Sequence, residues 1–563
     1  MKVLIVGGVA AGATAAARLR RLDEQAEIII LERTGFVSYA NCGLPYYVGN
    51  VITEREALTL QTPESFRDRF AIDVRVHQEV TKIDPAQKTV TIKRLTDGSQ
   101  YTETYDKLIL SPGAKAVKPD VPGVESDKIF TLRTVEDTYR MQEYVKEHRP
   151  KRAVVIGGGF IGLETAENLM HVGVQVTLLQ RSKQVMPPYD EDMAALLHSY
   201  LRMVGLDLRL NHPFTGFREE NGQILTLLKD KEPVAADMVV LAIGVEPDTH
   251  LAKEAGLTLG QKGAIVVNEK METSLPDIYA VGDAVEVTQF VTGQKTLISL
   301  AGPANKQGRI VADVICGRDS HFTGSQGSSV IKLFNLTAAT TGINEKTAKS
   351  LGLSYDKVVN YSASHATYYP GANNMTIKTI FEPETGRILG AQIIGFDGVD
   401  KRLDVMASAI RFGATAADLE ELDLSYAPPF SSAKDPVNMV GFTIENIRKG
   451  LVKQHHWHDV ASLPKDGSVT LLDVRTKEEF AENHIPGAIN IPLDELRLHL
   501  DELEKKPLYV NCYSGLRSYL ACRILSQHGF TCSNLSGGFR FYAFNTADQV
   551  FDPAPTYPCG VKL

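Results

Sequence analysis

Across its 563 residues the chain holds only six cysteines, Cys42, Cys316, Cys512, Cys522, Cys532 and Cys559, and no two of them form a CxxC. That scatter excludes a disulfide framework. With no Cys/His cluster at zinc spacing, no structural metal is expected either. No apolar run approaches the roughly 20 residues needed to cross a bilayer. Basic runs are missing too, and the formal net charge is −8, so nucleic acid is not an expected partner. The opening "MKVLIVGGVAAG" has no basic leader and no cleavage site before its glycine turn. It reads as a buried strand, and a cytoplasmic setting that keeps thiols reduced is expected. What is present is ordinary for globular domains, 43% hydrophobic and 23% charged residues. The length exceeds what one core can organise and predicts three or four domains.

A repeat carries the strongest signal. The apolar "KVLIV" is followed by Gly7, Gly8 and Gly12, a helical "ATAAARLRRL", and a second strand "EIIILE" ending in Glu32. Strand, glycine turn, helix, strand and acid is the order of a dinucleotide site. Backbone amides at the helix start meet a pyrophosphate, and the acid meets a ribose diol. The middle glycine of that fingerprint is Val9 here. About 150 residues on, "RAVVIGGGFIGLETAENLMHVGVQVTLLQR" repeats the unit with Gly157, Gly159 and Gly162. Its second strand ends in the neutral Gln180, beside Arg181 and Lys183, which would not repel a 2′-phosphate. Both nicotinamide cofactors are therefore expected to be usable.

Two further stretches fit a flavoprotein. "YDKLILSPGAKAVKPDVPG" (105–123) reads as a strand and a crossover out of the first domain. "DIYAVGDAVEV" (277–287) places Asp283 after a strand and Gly282, where a carboxylate can bind a ribityl hydroxyl. With these motifs the first 445 residues or so resemble the pyridine nucleotide-disulfide oxidoreductase family. The resemblance implies an α/β chain with two Rossmann-like dinucleotide-binding domains, for FAD and NAD(P), and an α+β dimerisation domain. The FAD domain is expected over 1–112 and 245–324, the NAD(P) domain over 113–244, and the dimerisation domain over 325–446. Among cofactor-binding residues it implies Gly7, Gly8, Ala10, Ala11, Gly12, Glu32, Arg33 and Asn41 in the first repeat and just after it. In the second it implies Gly157, Gly159, Phe160, Ile161, Gly162, Glu164, Gln180 and Arg181. Between and beyond the repeats it implies Val80, Ser111, Gly113, Arg133, Gly244, Gly282, Asp283 and Ala301.

"SYANCGLPYY" (38–47) contains one cysteine where two-cysteine reductases carry a CxxxxC pair. It resembles the single-cysteine branch, which includes NADH peroxidases, NADH oxidases and CoA-disulfide reductases. To attack sulfur Cys42 must be a thiolate, which calls for a lowered pKa. Without a neighbouring thiol it rests as a mixed disulfide with a small thiol or as a sulfenic acid. Thr14, Arg18 and Arg21 on the first helix, with Ser38 and Asn41, are candidates for holding that small thiol. Arg18 and Arg21 share a helix face suited to a 3′-phosphorylated adenosine diphosphate. "HATYYPGANN" and "LDLSYAPPFSSAKDPVN" resemble dimer-domain motifs of the CoA-disulfide reductases. There a tyrosine from each segment reaches the partner subunit's cysteine, which implies a homodimer and maps to Tyr368 (or its neighbour Tyr369) and Tyr426. The same resemblance places Asn305 and Lys434 at the substrate.

After residue 446 the character changes. A linker is expected over 447–457 and a further domain over 458–563. "VTLLDVRTKEEFAENHIPGAINIPLDEL" (469–496) resembles the rhodanese signature, and "LSGGF" (535–539) its closing turn. "PLYVNCYSGLRSYLACRIL" gives a strand, Cys512, a loop and a helix. Such a loop cradles a thiolate or persulfide with backbone N–H groups, and Arg517 adds charge or fixes the loop. The whole chain resembles CoA-disulfide reductase–rhodanese fusions. That implies an NAD(P)H-dependent reductase of CoA persulfide, polysulfide or CoA disulfide, with FAD, NAD(P)H and coenzyme A as ligands. The alternative is an NADH oxidase or peroxidase that uses Cys42 as a sulfenic acid.

Overall fold

The computed structural model describes residues 1–546 and 557–559. The rest of the domain expected over 458–563, residues 547–556 and 560–563, lies outside the described residues. The chain forms two compact units, Met1–Val185 with Leu206–Gly327, and Met186–Gly205 with Ser328–Leu563.

In the first unit Lys2–Val6 is the middle strand of a five-stranded parallel sheet, between Lys107–Leu110 and Glu27–Leu31. Ile278–Ala280 and Asp73–Arg75 form its edges. A parallel strand covered on both faces needs apolar residues at every position, which KVLIV and EIIIL supply. The alanine-rich helix Ala10–Leu22 packs against Ala301–Ile315 so closely that a Cβ on Gly308 would meet Ala11 O at 2.4 Å. The second repeat builds a second parallel sheet, in the order Asp207–Leu210, Gln175–Gln180, Arg152–Ile156, Met238–Leu241, Ile129–Phe130. Each is accompanied by a three-stranded antiparallel sheet, Gln78–Asp84 through Gln100–Thr104 and Phe214–Glu220 through Lys231–Ala236.

The second unit contains a five-stranded antiparallel sheet ordered Ser329–Leu333, Leu336–Gly342, Ile388–Gly395, Asn374–Phe381, Asp356–Ala363. The helix Glu191–Met203, expected within the NAD(P) domain, folds with this sheet. The cause is electrostatic. Lys378, wholly buried on Asn374–Phe381, reaches Asp190 and Asp192 at 3.0 and 2.7 Å and Glu345 at 2.5 Å.

A parallel sheet ordered Gln454–His455, Cys532–Leu535, Leu508–Asn511, Thr470–Asp473, Ile489–Asn490 completes the unit. Its outer strand comes from the stretch expected as linker. Gln454 Nε2 also donates to Asp356 Oδ2 (3.1 Å) and Lys357 O (2.7 Å), pinning that stretch to the antiparallel sheet. Farther along the same edge strand, Val359 N–H donates to Ser536 Oγ at 3.1 Å, and the Arg540 guanidinium lies 4.3 Å over the Tyr361 ring. Among the described residues no helix is long and apolar enough to cross a membrane.

Candidate active site

Both glycine turns are built for close approach. A Cβ on Gly12 would stand 2.0 Å from Gly7 O, and one on Gly162 1.9 Å from Gly157 O, so any side chain would push helix from turn. A Cβ on Gly159 would meet nothing within 4 Å, which leaves that face of the turn clear for a pyrophosphate. The buried Glu32 accepts from Gly8 N–H and Thr34 N–H, each at 2.9 Å. Gln180 repeats this role by accepting from Gly158 N–H at 3.1 Å. The donors and acceptors therefore fit the two expected dinucleotides, with an acid on the first turn and an amide on the second. Ala10, Ala11, Phe160 and Ile161 stand in the first turns of their helices. Ser111 donates its N–H to Val6 O (2.8 Å) and crowds Gly7. Gly113 and Gly244 hold left-handed backbone, at φ +71° and +123°. Arg33 pairs with Asp248 at 2.7 Å, and Arg181 is exposed beside Gln180. Val80 packs in the core of the first unit, and Ala301 opens its helix.

Cys42 is exposed within the single turn Asn41–Gly43. Its setting depends on Arg133, a residue outside every motif quoted above. Arg133 Nη2 donates to Asp283 Oδ2 at 2.9 Å and Nε to Ala114 O at 2.9 Å. The Asn41 carboxamide, oriented to satisfy both its groups, donates to Arg133 O (3.1 Å) and accepts from Arg133 Nη1 (2.9 Å). One guanidinium thus ties the residue preceding the cysteine to the carboxylate expected at the ribityl chain. The lowered thiol pKa that attack on sulfur calls for does not come from the side chains around Cys42. Burial and the Glu164 and Asp283 carboxylates push the Cys42 thiol up, with Arg133 alone opposing them. The helix that follows, Leu44–Val48, is five residues long and contributes little dipole.

Glu164 accepts from the Tyr46 hydroxyl at 3.4 Å, and burial raises its carboxyl from 4.5 to about 7. A carboxyl whose pKa is raised on folding adds stability below about 4.5 that is lost as pH rises to about 7. Glu164→Gln is therefore expected to gain up to about 3 kcal/mol over the parent above pH 7 and nothing near pH 4. Thermal melts across pH check this. The same variant removes one carboxylate facing Cys42, so the alkylation rate of that thiol should reach its plateau at a lower pH.

The candidate substrate residues are partly assembled. Thr14 Oγ1 donates to Asn305 Oδ1 at 2.6 Å. Ser38 is held by its N–H to Gly8 O (2.8 Å) in a left-handed conformation at φ +49°. Arg18 is not the open half of a basic pair. It is committed to Asp313, with Nη2 at 2.7 Å, while Arg21 is exposed. In the second unit the Tyr368 and Tyr426 hydroxyls meet at 2.7 Å, and both rings are exposed. This favours Tyr368 in the expected role, because Tyr369 is turned edge-on to His365 at 5.8 Å. Lys434 is exposed just before Asp435, which caps Pro436–Arg448.

Cys512 directly follows the strand Leu508–Asn511 and is 0% exposed. Gly515 N–H donates to its sulfur at 3.1 Å and the Ser518 hydroxyl at 3.3 Å. Arg517 fixes the loop through two 2.7 Å bonds to Glu479, whose carboxyl stays below its usual range because those bonds outweigh burial. Glu479 also accepts from Thr476 N–H in a capping box, a pattern present in "RTKEEF" but not assigned from sequence. Asp473 and Arg475, buried and bonded at 2.7–3.0 Å, lock the neighbouring strand end.

A family model described as pyridine nucleotide-disulphide oxidoreductase matches residues 1–308, and that family's dimerisation domain matches 328–436. A rhodanese-like domain matches residues 456–543. Coenzyme A disulfide reductase of Staphylococcus haemolyticus is 36% identical over 447 residues, covering 79% of this chain and 100% of that protein. The crystal structure of Bacillus anthracis CoADR-RHD superposes with a TM-score of 0.94 at 50% identity, covering 96% of this chain and 98% of that one. An NAD-dependent persulfide reductase from A. fulgidus superposes with a TM-score of 0.90 at 38% identity, covering 96% and 100%.

Proposed function

From the premise that the chain belongs to the pyridine nucleotide-disulphide oxidoreductase family, we propose that it is an NAD(P)H-dependent reductase of CoA disulfide and CoA persulfide with a fused sulfurtransferase domain. The observation that carries this reading is a division of labour between two single thiols. Cys42 sits exposed beside the Arg133–Asp283 pair, and Cys512 sits buried in an N–H-lined loop.

The first glycine turn with Glu32 would hold FAD and the second with Gln180 a nicotinamide nucleotide, and the flavin would supply the two-electron link to sulfur when bound. The chain's own residues do the rest. Asn41 and Arg133 set the position of Cys42. As a thiolate, Cys42 attacks the CoA-bearing sulfur of a persulfide. The old S–S bond breaks, hydrosulfide leaves, and a Cys42–CoA mixed disulfide forms. Two electrons then return both thiols. Glu164, protonated up to about pH 7, is a proton store for this step. Thr14, Asn305 and Arg21 hold the CoA moiety, and the Tyr368–Tyr426 hydroxyls, presented to the partner subunit of a homodimer, assist the departing thiolate. Cys512 takes sulfane sulfur from small donors, the Gly515 N–H and the Ser518 hydroxyl hold the resulting anion, and Arg517 keeps the loop in place through Glu479.

Cys512→Ser tests the division. Reduction of CoA persulfide with NAD(P)H is expected to survive within about twofold, while sulfur transfer from thiosulfate falls roughly a thousandfold or more. Equal loss of both reactions would overturn the assignment.

A further inference from the structure

Nothing above uses Cys559, yet its place is defined from the Cys512 loop. The Ser514 hydroxyl donates to Pro558 O at 2.7 Å, which fixes the peptide that leads into Cys559. Ser514 lies two residues beyond Cys512 and next to Gly515, whose N–H donates to the Cys512 sulfur at 3.1 Å. Both thiols lie within electrostatic reach of the Arg517 guanidinium, which Glu479 holds by two 2.7 Å bonds. Two thiols thus share one anchored loop and one fixed cation.

They differ in access. Cys512 is 0% exposed, while Cys559 is only partly covered. A small anion can load the buried thiol, but a bulky acceptor such as the thiol end of CoA meets the covered sulfur last. We propose that Cys559 is a relay thiol that takes sulfane sulfur from Cys512 and presents it to the acceptor. The Cys559 thiolate attacks the outer sulfur of Cys512–S–SH. The S–S bond at Cys512 breaks, a new one forms at Cys559, and Cys512 leaves as thiolate with the proton kept on the transferred sulfur. Atoms and electrons balance with no outside oxidant or reductant. Arg517 is within electrostatic reach of both sulfurs, so the charge moves within the field of one ion pair.

This inference rests on Cys512 being the sulfane-carrying thiol, and the test separates the two claims. Full-length protein is charged with thiosulfate, desalted, alkylated and peptide-mapped by mass spectrometry. One added sulfur is expected on the Cys512 peptide and on the Cys559 peptide of the parent, on Cys512 alone in Cys559→Ser, and on neither in Cys512→Ser. Transfer from charged Cys559→Ser to CoA should slow on the order of tenfold. The relay is overturned if Cys512 carries sulfur and Cys559 never does. Sulfur on Cys559 in the Cys512→Ser variant, a Cys512–Cys559 disulfide, or unchanged transfer to CoA in Cys559→Ser would each overturn it as well. No added sulfur on Cys512 itself would overturn both the relay and the underlying assignment.

Discussion

Replacing Cys42 by serine is expected to lower NAD(P)H-dependent reduction of CoA disulfide and CoA persulfide by roughly a thousandfold or more, the scale on which covalent nucleophiles are lost. The argument is chemical. A hydroxyl neither attacks a sulfur–sulfur bond nor leaves from one at neutral pH, and no thiol adjoins Cys42 in sequence to take its place. The variant should still fold and retain flavin, because Arg133 holds Asp283 and Asn41 through groups the substitution leaves alone. Sulfur transfer from thiosulfate should stay at the parent rate, since Gly515, Ser518 and Arg517 set up Cys512 independently. Steady-state NAD(P)H oxidation, flavin absorbance and a thiosulfate assay check the three parts. Parent-like reduction by the serine variant would remove Cys42 from the reaction.

How much of this was legible in the sequence follows from what each residue depends on. The two glycine turns were readable because their constraint is local. Gly12 and Gly162 are excluded from carrying a Cβ by carbonyls only five residues away, so the pattern must appear in consecutive sequence. The Cys512 loop was readable for the same reason. The pKa of Cys42 was not. Its direction is set first by burial and then by Glu164 and Asp283, all of which act on the thiol only after folding. Arg18 looked like half of a basic pair because Asp313, its partner, lies on another helix. The stretch 447–457 read as a linker because Gln454–His455 is too short to show a period of two. Once the sheet is formed, two backbone rungs and the Gln454 amide turn that stretch into structure.

The second large effect is expected at Lys378, whose replacement by methionine should cost about 3–5 kcal/mol of stability in the second unit. "NMTIKTIF" reads as an apolar strand with one intruding lysine, and the structure supplies the reason for it. Lys378 Nζ sits 3.0, 2.7 and 2.5 Å from Asp190, Asp192 and Glu345, the one group with metal-ligand geometry among the described residues. The ammonium does there what a cation would do. Lys357 adds a second contact to Glu345 at 2.8 Å, and Trp457 donates to Asp192 at 3.4 Å. Burial favours neutralising Glu345, but Lys378 and Lys357 outweigh it and hold that carboxyl well below its usual range. Its contribution is therefore present above about pH 4.5 and is lost as pH falls further. Methionine matches the length of the lysine stem but leaves three buried carboxylates with one buried cation, Lys357, and the exposed Lys349, both on Glu345. The stability gap between variant and parent should be widest above pH 7 and should narrow towards pH 4, where the orphaned carboxylates take up protons. Urea unfolding across that range measures it. Adding Asp192→Asn and Glu345→Gln to the methionine variant should recover part of the loss at neutral pH, since neutral amides do not require the missing charge. A gap that stayed constant with pH would mean that Lys378 stabilises the unit by packing its stem and not by its charge.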